Sequence, residues 1–269
     1  MNMCAESPNI QMNVYFFTGR VIPERALLDT IEFSFQVPPQ VDVPEGELFV
    51  QVIRSQLFAR FVGEGDVANI FTLHNIVEDA TRIVLDAVGF HLGYGYDLEI
   101  VQMVQADNNR KQVFGIDVPA VSKLCEEAGV TFSHIMFALS VQDGAYLRHA
   151  LSDLREAIKS PKDTGFFCFR AVESLKSCFA ARNGISSDKK AAWDEFRAAY
   201  GLDKDSILAI KSFADPVRHG NIAEIAPISD TDRSQLFVTA WRIVAQFIVT
   251  ENHARPNPAL ELTARPSVS

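Results

Sequence analysis

From Ile31 to Val37 apolar and polar residues alternate without a break, Ile-Glu-Phe-Ser-Phe-Gln-Val. That period of two puts Ile31, Phe33, Phe35 and Val37 on one face of a β-strand. Pro38-Pro39 ends it, because proline has no N–H to give a ladder. Val14 to Phe17 reads as an earlier strand. Leu48 to Val62 is too long for one strand and divides near Arg54-Ser55-Gln56. Leu98 to Gln105 and Lys111 to Ile116 flank Asp107-Asn108-Asn109-Arg110, whose Asn and Asp residues tolerate left-handed backbone angles, so a hairpin is expected. One helix interrupts these strands. Ile70, Leu73, Val77, Ala80, Val84, Ala87 and His91 recur at helical spacing, and Gly93 and Gly95 end the run. His91 falls on that stripe, which predicts a histidine satisfied within the core.

The second half changes period from two to 3.6. Val118 to Ser140 reads as short connecting helices, and Val141 to Lys159 as one longer helix. In Ser160-Pro161-Lys162-Asp163 the serine suits a cap, the proline a first helical position and the aspartate a helix N-terminus, so the next helix starts there and runs to about Arg182, with Gly184 at its exit. Ser187 caps a third helix that ends at Gly201, and Asp203 a fourth that ends before Asp215-Pro216. Ser229, with Asp232 three residues on, starts the last.

These patterns predict an α+β chain: an N-terminal antiparallel sheet with one long helix, then a C-terminal α-helical bundle. The expected divisions are 12–117 for the α+β domain, 118–140 for connecting helices, 141–253 for the bundle and 254–269 for a disordered tail. The tail has prolines and no apolar period. Its text from Asn257 to Pro266 resembles the tails of proteins encoded by integron gene cassettes, which implies that it reports gene context.

Composition sharpens this picture in three places. Of the 269 residues 48% are hydrophobic and 22% charged, an ordinary balance for a chain with its own core. The net charge of −9 lies wholly in residues 1–117, with 7 Lys/Arg against 16 Asp/Glu, while residues 118–269 carry 18 of each. The N-terminal half is therefore poorly suited to nucleic acid, and a basic patch could form in the C-terminal half alone. Cys4, Cys125, Cys168 and Cys178 form no CxxC pair, and His74, His134, His149 and His253 have no neighbours at ligand spacing, so buried thiols and no metal site are expected. Met1 to Met12 holds Glu6, Pro8 and no long apolar run, and no stretch is long enough to span a bilayer. A cytoplasmic protein without signal peptide, membrane segment or cofactor is expected.

The densest polar cluster of the helical half is Asp215-Pro216-Val217-Arg218-His219-Gly220-Asn221, at a junction between helices. An arginine beside a histidine can hold a phosphate and move a proton. The same two cations can equally cap the end of the preceding helix. Arg170 and Glu173, three apart in their helix, read as an intrahelical ion pair or as groups facing Arg218 and His219 across the bundle.

Arg148 to Lys159, Phe166-Phe167-Cys168-Phe169-Arg170-Ala171-Val172-Glu173-Ser174-Leu175, Trp193 and Lys211 to Gly220 together resemble HEPN-type helical domains over about residues 145–250. The resemblance implies a helical bundle that often dimerises. Many such domains cleave RNA and others are non-catalytic. Their catalytic motif is an Arg, a polar residue, and a His four to six residues beyond the Arg. Neither Ala223 nor Glu224 supplies that His, and neither Phe213 nor Ala214 supplies an Arg preceding His219, so the motif is incomplete. Across the whole chain, the opening Phe16 to Val21 strand followed by a helical half is similar to MauJ-like proteins, a likeness that implies no mechanism.

The expected function is therefore an interaction or sensor module that binds a protein partner, or itself, through the bundle. The alternative is a metal-independent RNase of toxin or phage-defence type, with Arg218 gripping phosphate and His219 as acid or base. Arg170, Glu173 and Asn221 are the accompanying binding candidates.

Overall fold

The computed structural model describes residues 12–25, 28, 30–115, 118–186, 190–224 and 228–254. The chain divides into two compact units between residues 115 and 116, each with its own hydrophobic core. The expected disordered tail, the cap at Ser187 and Cys4 lie outside the described residues.

The first unit is one antiparallel sheet with a helix on one face. Its strands are β1 (Met12–Ile22), β2 (Ile31–Val37), β3 (Gly46–Ile53), β4 (Gln56–Glu64), β5 (Asp97–Gln105) and β6 (Lys111–Val113), in the order β2-β3-β4-β1-β5-β6. The expected break in 48–62 is a tight turn between β3 and β4, where Arg54 and Ser55 have φ of 48° and 65°. Two consecutive left-handed residues match the twist of a two-residue hairpin. The β5–β6 turn carries its left-handed residue at Asn109, φ 55°. β1 is longer than the Val14–Phe17 reading: it pairs with β4 from Met12 to Arg20 and with β5 as far as Ile22, across a register shift between Thr18 and Gly19. Gly19 is needed there, since a Cβ would lie 2.3 Å from the Glu99 carbonyl oxygen.

The helix α1 (Ile70–Leu92) is capped by Asn69, whose side chain accepts from the Phe71 N–H at 3.0 Å, and ends at left-handed Gly93. Its Ile70, Leu73, Val77 and Leu85 join Phe17, Phe61 and Met103 of the sheet in the core. The predicted stripe holds as far as Ala80 and then fails. Ala87 and His91 are exposed, and Leu85 and Gly89 are buried in their place. A seven-residue step falls about 20° short of two full helical turns, so His91, three such steps from Ile70, has rotated off the buried face. His91 is not a core histidine.

The second unit is helical: α2 (Leu124–Glu127), α3 (Phe132–Ser140), α4 (Gly144–Lys159), α5 (Thr164–Arg182), α6 (Lys190–Tyr200), α7 (Lys204–Arg218) and α8 (Asp230–Ala254). α5 lies at the centre, packed against α4, α6, α7 and α8. Val121, Leu124, Val130 and Ala138 lie in the same core, so residues 118–140 are part of the bundle as well as its lead-in. Among the described residues no helix is long and apolar enough to cross a membrane.

Three boundaries differ from the sequence pattern. α4 begins at Gly144 because Val141 is extended and the backbone turns back so tightly that a Cβ at 144 would lie 2.1 Å from the Leu139 carbonyl oxygen. Residues 160–163 form a turn closed by the Ser160 hydroxyl on Asp163 at 2.9 Å, and α5 follows from Thr164. α7 does not stop before Pro216 but runs on to Arg218. Proline there removes one helical hydrogen bond, near the end of the helix, where little remains to be broken. The cap then closes the helix: the Gly220 N–H donates to the Val217 carbonyl at 3.2 Å and the Asn221 N–H to the Pro216 carbonyl at 2.9 Å.

Candidate functional site

Those two bonds, with left-handed Gly220 at φ 68°, form a Schellman cap. The backbone of the Arg218–Asn221 segment is thus committed to ending α7. Its side chains diverge. Asn221 donates from its amide to Glu224 Oε2 at 3.3 Å, within the same turn. His219 is exposed, and among the described residues its ring makes no hydrogen bond. Arg218 reaches across to α5, where Nη1 donates to Glu173 Oε1 at 3.4 Å.

Arg170 does not pair with Glu173. It turns the other way, to α4, where Nη2 and Nε donate to the two oxygens of Asp153 at 2.5 and 3.3 Å. Its guanidinium also lies over the rings of Phe166 and Phe167, 5.3 and 5.5 Å from their centroids. Two cross-helix ion pairs therefore replace the expected intrahelical one. They leave Arg170 and Arg218, each with a side chain 49% exposed, on the rim of a cleft between α5 and α7. The cleft has a volume of about 330 Å³ and is lined by Phe166, Phe169, Arg170, Glu173, Val217 and Arg218. A second hollow of about 250 Å³ begins on the other side of Val217 and includes Lys162, Phe213 and Glu224. Neither is lined by His219 or Asn221. The structure brings together three of the five candidate residues, Arg170, Glu173 and Arg218, and leaves His219 and Asn221 apart from them.

The two helices are set close by Gly165. A Cβ at 165 would lie 2.5 Å from the Phe213 Cβ, so any other residue would push α7 off α5. Phe169 is held from below by Trp193, with ring centroids 5.8 Å apart and an interplanar angle of 19°.

Asp153 was missed by the sequence pattern, although a signal exists. Leu147, Ala150, Leu154 and Ala157 mark the buried stripe of α4, and Asp153 falls inside it. A carboxylate on an apolar face needs a partner. Burial raises the Asp153 carboxyl above its ordinary range, and the Arg170 guanidinium pulls part of that shift back. A folded-state pKa above the unfolded value means that the native chain holds the proton more tightly. Stability from this group is full below the unfolded value of 3.8 and falls as pH rises through the folded value. Asp153→Asn keeps an acceptor for Arg170 without the charge. Its melting temperature relative to wild type should therefore move upward as pH rises from below 3.8 toward neutrality. A difference that is flat with pH, measured by thermal unfolding, would refute this origin.

A second ion cluster sits at the other end of α5. Arg182 Nε donates to Asp143 Oδ2 at 2.7 Å, and Nη1 donates to Glu251 Oε1. Glu251 is only 4% exposed, and its second oxygen is buried with no hydrogen-bond partner among the described residues. Beside it the Tyr200 hydroxyl is pushed up to about 12, chiefly by burial and then by Glu251. Cys168 and Cys178 are buried as expected, and burial holds the Cys168 thiol up at about 12, so it is a packing group and not a nucleophile. Among the described residues no three His, Cys, Asp or Glu side chains could hold a metal ion.

Two family models match: the N-terminal domain of DUF8168 over residues 15–114 and its C-terminal domain over residues 132–252, each described as a domain of unknown function. The chain carries both domains of the DUF8168 family. No curated protein and no solved structure gives a significant match. The two DUF8168 matches fall on either side of the division between the two compact units. The α5–α7 cleft lies wholly within the C-terminal DUF8168 domain.

Proposed function

We propose that the helical unit is a HEPN-like interaction module that binds a protein partner in the cleft between α5 and α7. The observation that carries this reading is the pair of half-exposed arginines, from two different helices, on the rim of a cleft floored by Phe166, Phe169 and Val217. Arginine and aromatic residues around a small concave site are the composition of an interface hot spot. Both guanidiniums are already oriented by a carboxylate, which lowers the entropy lost when a partner engages them. Elsewhere on this unit the large exposed apolar side chains among the described residues are few: Phe132, Met136 and Leu208.

The test is site-specific photo-crosslinking in the native host. A photoreactive residue at Val217 should give a discrete adduct with one protein, and the same residue at Leu208, exposed on α7 outside the cleft, should not. Arg218→Glu should reduce the adduct by about tenfold, the equivalent of about 1.4 kcal/mol. Equal labelling from Val217 and Leu208 would refute the cleft as the site.

RNA cleavage by Arg218 and His219 is the second reading, favoured by the exposure of both side chains at one helix end. Against it, His219 does not line the cleft and Arg218 is held by Glu173. A phosphate bound by Arg218 would therefore have no acid or base facing it from position 219. The purified protein is expected to leave total RNA intact. Cleavage that His219→Ala abolishes would reverse the order of the two readings.

A further inference from the structure

The sheet of the first unit has α1 and the core on one face, and no described element of that unit packs on the other. The registers define what that bare face carries. One row across it reads Ser34, Phe49, Arg60, Phe16, Val104, Lys111, and the next reads Glu32, Gln51, Phe58, Thr18, Gln102, Val113. Phe16 and Phe58 lie near the middle and are 45% and 48% exposed. Arg60 lies over the Phe49 ring at 4.4 Å, adding a flat cationic surface to the aromatic centre. An apolar centre of this kind on an open sheet marks an interaction surface. Six strands at about 4.8 Å spacing and about 7 residues at roughly 3.3 Å give a face of roughly 25 by 23 Å. That is about 575 Å² of projected area, at the lower end of what one partner contributes to a specific interface.

The charges at its two edges say what fits it. On the bare face the β2–β3 edge carries Glu32 and Glu47, while the β6 edge carries Lys111, with Arg110 and Asp107 in the adjoining turn, where Asp107 Oδ2 accepts from the Val14 N–H. The two outermost strands thus carry opposite charge, Glu32 on β2 and Lys111 on β6, and a second copy of the same face is complementary to it there in one orientation. We propose that two copies of the chain pair sheet on sheet through this face, about a two-fold axis that runs along the strands between β4 and β1. That axis lays β4 on β1, so Arg60 of one copy comes over Phe16 of the other. It lays β3 on β5, and the acidic β2 edge on the basic β6 edge. A two-fold axis across the strands would instead stack Glu32 and Glu47 of one copy on their own equivalents, which like charges disfavour. Two antiparallel sheets packed face to face, with inner side chains interdigitating, form a sandwich whose core is filled by both copies.

Sedimentation of the full chain over concentrations on the order of 1–100 μM tests this. A dimer is expected. Phe16→Glu and Phe58→Glu should each weaken it by about 100-fold or more while leaving the helical signal and the melting transition of the monomer in place, because both side chains are exposed in the single chain. Glu32→Lys should weaken the dimer by about tenfold, and adding Lys111→Glu should restore it. A chain that stays monomeric throughout overturns the proposal. So does a dimer that the two phenylalanine variants leave intact, which would place the contact on another surface. Failure of the charge pair to rescue overturns the proposed axis.

Discussion

Phe61→Ala should destabilise the sheet unit by about 3–5 kcal/mol, the largest loss expected from any single truncation there. Phe61 is fully buried on β4. Gly46 and Gly63, directly paired across β3 and β4, lie flat against its ring, and a Cβ on either would come within 2.6 Å of it. The ring supplies the packing that the two glycines cannot. With the ring gone, neither neighbour has a side chain that could fall into the hole, so the cavity persists and its full cost is felt. Urea unfolding should show the loss in the sheet unit while the helical signal of the second unit is retained. A loss below about 1 kcal/mol would mean that the strands collapse onto the cavity. Val14→Ala, on the bare face of the neighbouring strand, is the matched control and should cost far less.

The second large effect is expected at Arg182. This one side chain ties the start of α4, through Asp143, to the last turn of α8, through Glu251. Arg182→Ala would leave the Glu251 carboxylate buried without a counter-charge, a loss of about 3 kcal/mol or more. The penalty belongs mainly to the stranded charge and not to the missing bond. Replacing both residues, Arg182→Leu with Glu251→Leu, should therefore recover most of the stability that Arg182→Ala loses. Thermal unfolding of the three proteins distinguishes the cases. A double variant no more stable than the single one would show that Arg182 acts by packing on Phe247, whose ring centroid lies 5.9 Å from its guanidinium carbon.

The fold was legible wherever the signal is local. The alternation in Ile31–Val37, the turns at Arg54-Ser55 and Asn109, and the caps at Gly93, Asp203 and Ser229 each report on a few adjacent residues, and each is realised. Misreadings came where a local rule meets tertiary packing. Pro216 disfavours helix, but in the last turn of α7 the cost is one bond, and the packing of α7 on α5 outweighs it. On α1 a repeat of seven meets the drift of a straight helix, which takes His91 out to solvent. The candidate site was half legible. Arg170, Glu173 and Arg218 are polar groups at helical spacing near a break, which pattern can find. The partner of Arg170 is 17 residues away on another helix, and Arg182 and Glu251 are 69 apart. No periodicity links such pairs. What could have been seen is the oddity of each in isolation, such as Asp153 on an apolar stripe.

Gly165 gives the cleft a property of its own. The separation of α5 from α7 depends on the single hydrogen that glycine presents to Phe213, yet Gly165 forms no part of the lining of the larger cleft. The gauge of the cleft is therefore written at a position outside its lining. One methyl group at 165 would act as a shim and widen the gap without altering Arg170, Arg218 or the aromatic floor. On the proposed reading, the size and the chemistry of a bound group would be set separately, the one at Gly165 and the other at Arg170 and Arg218.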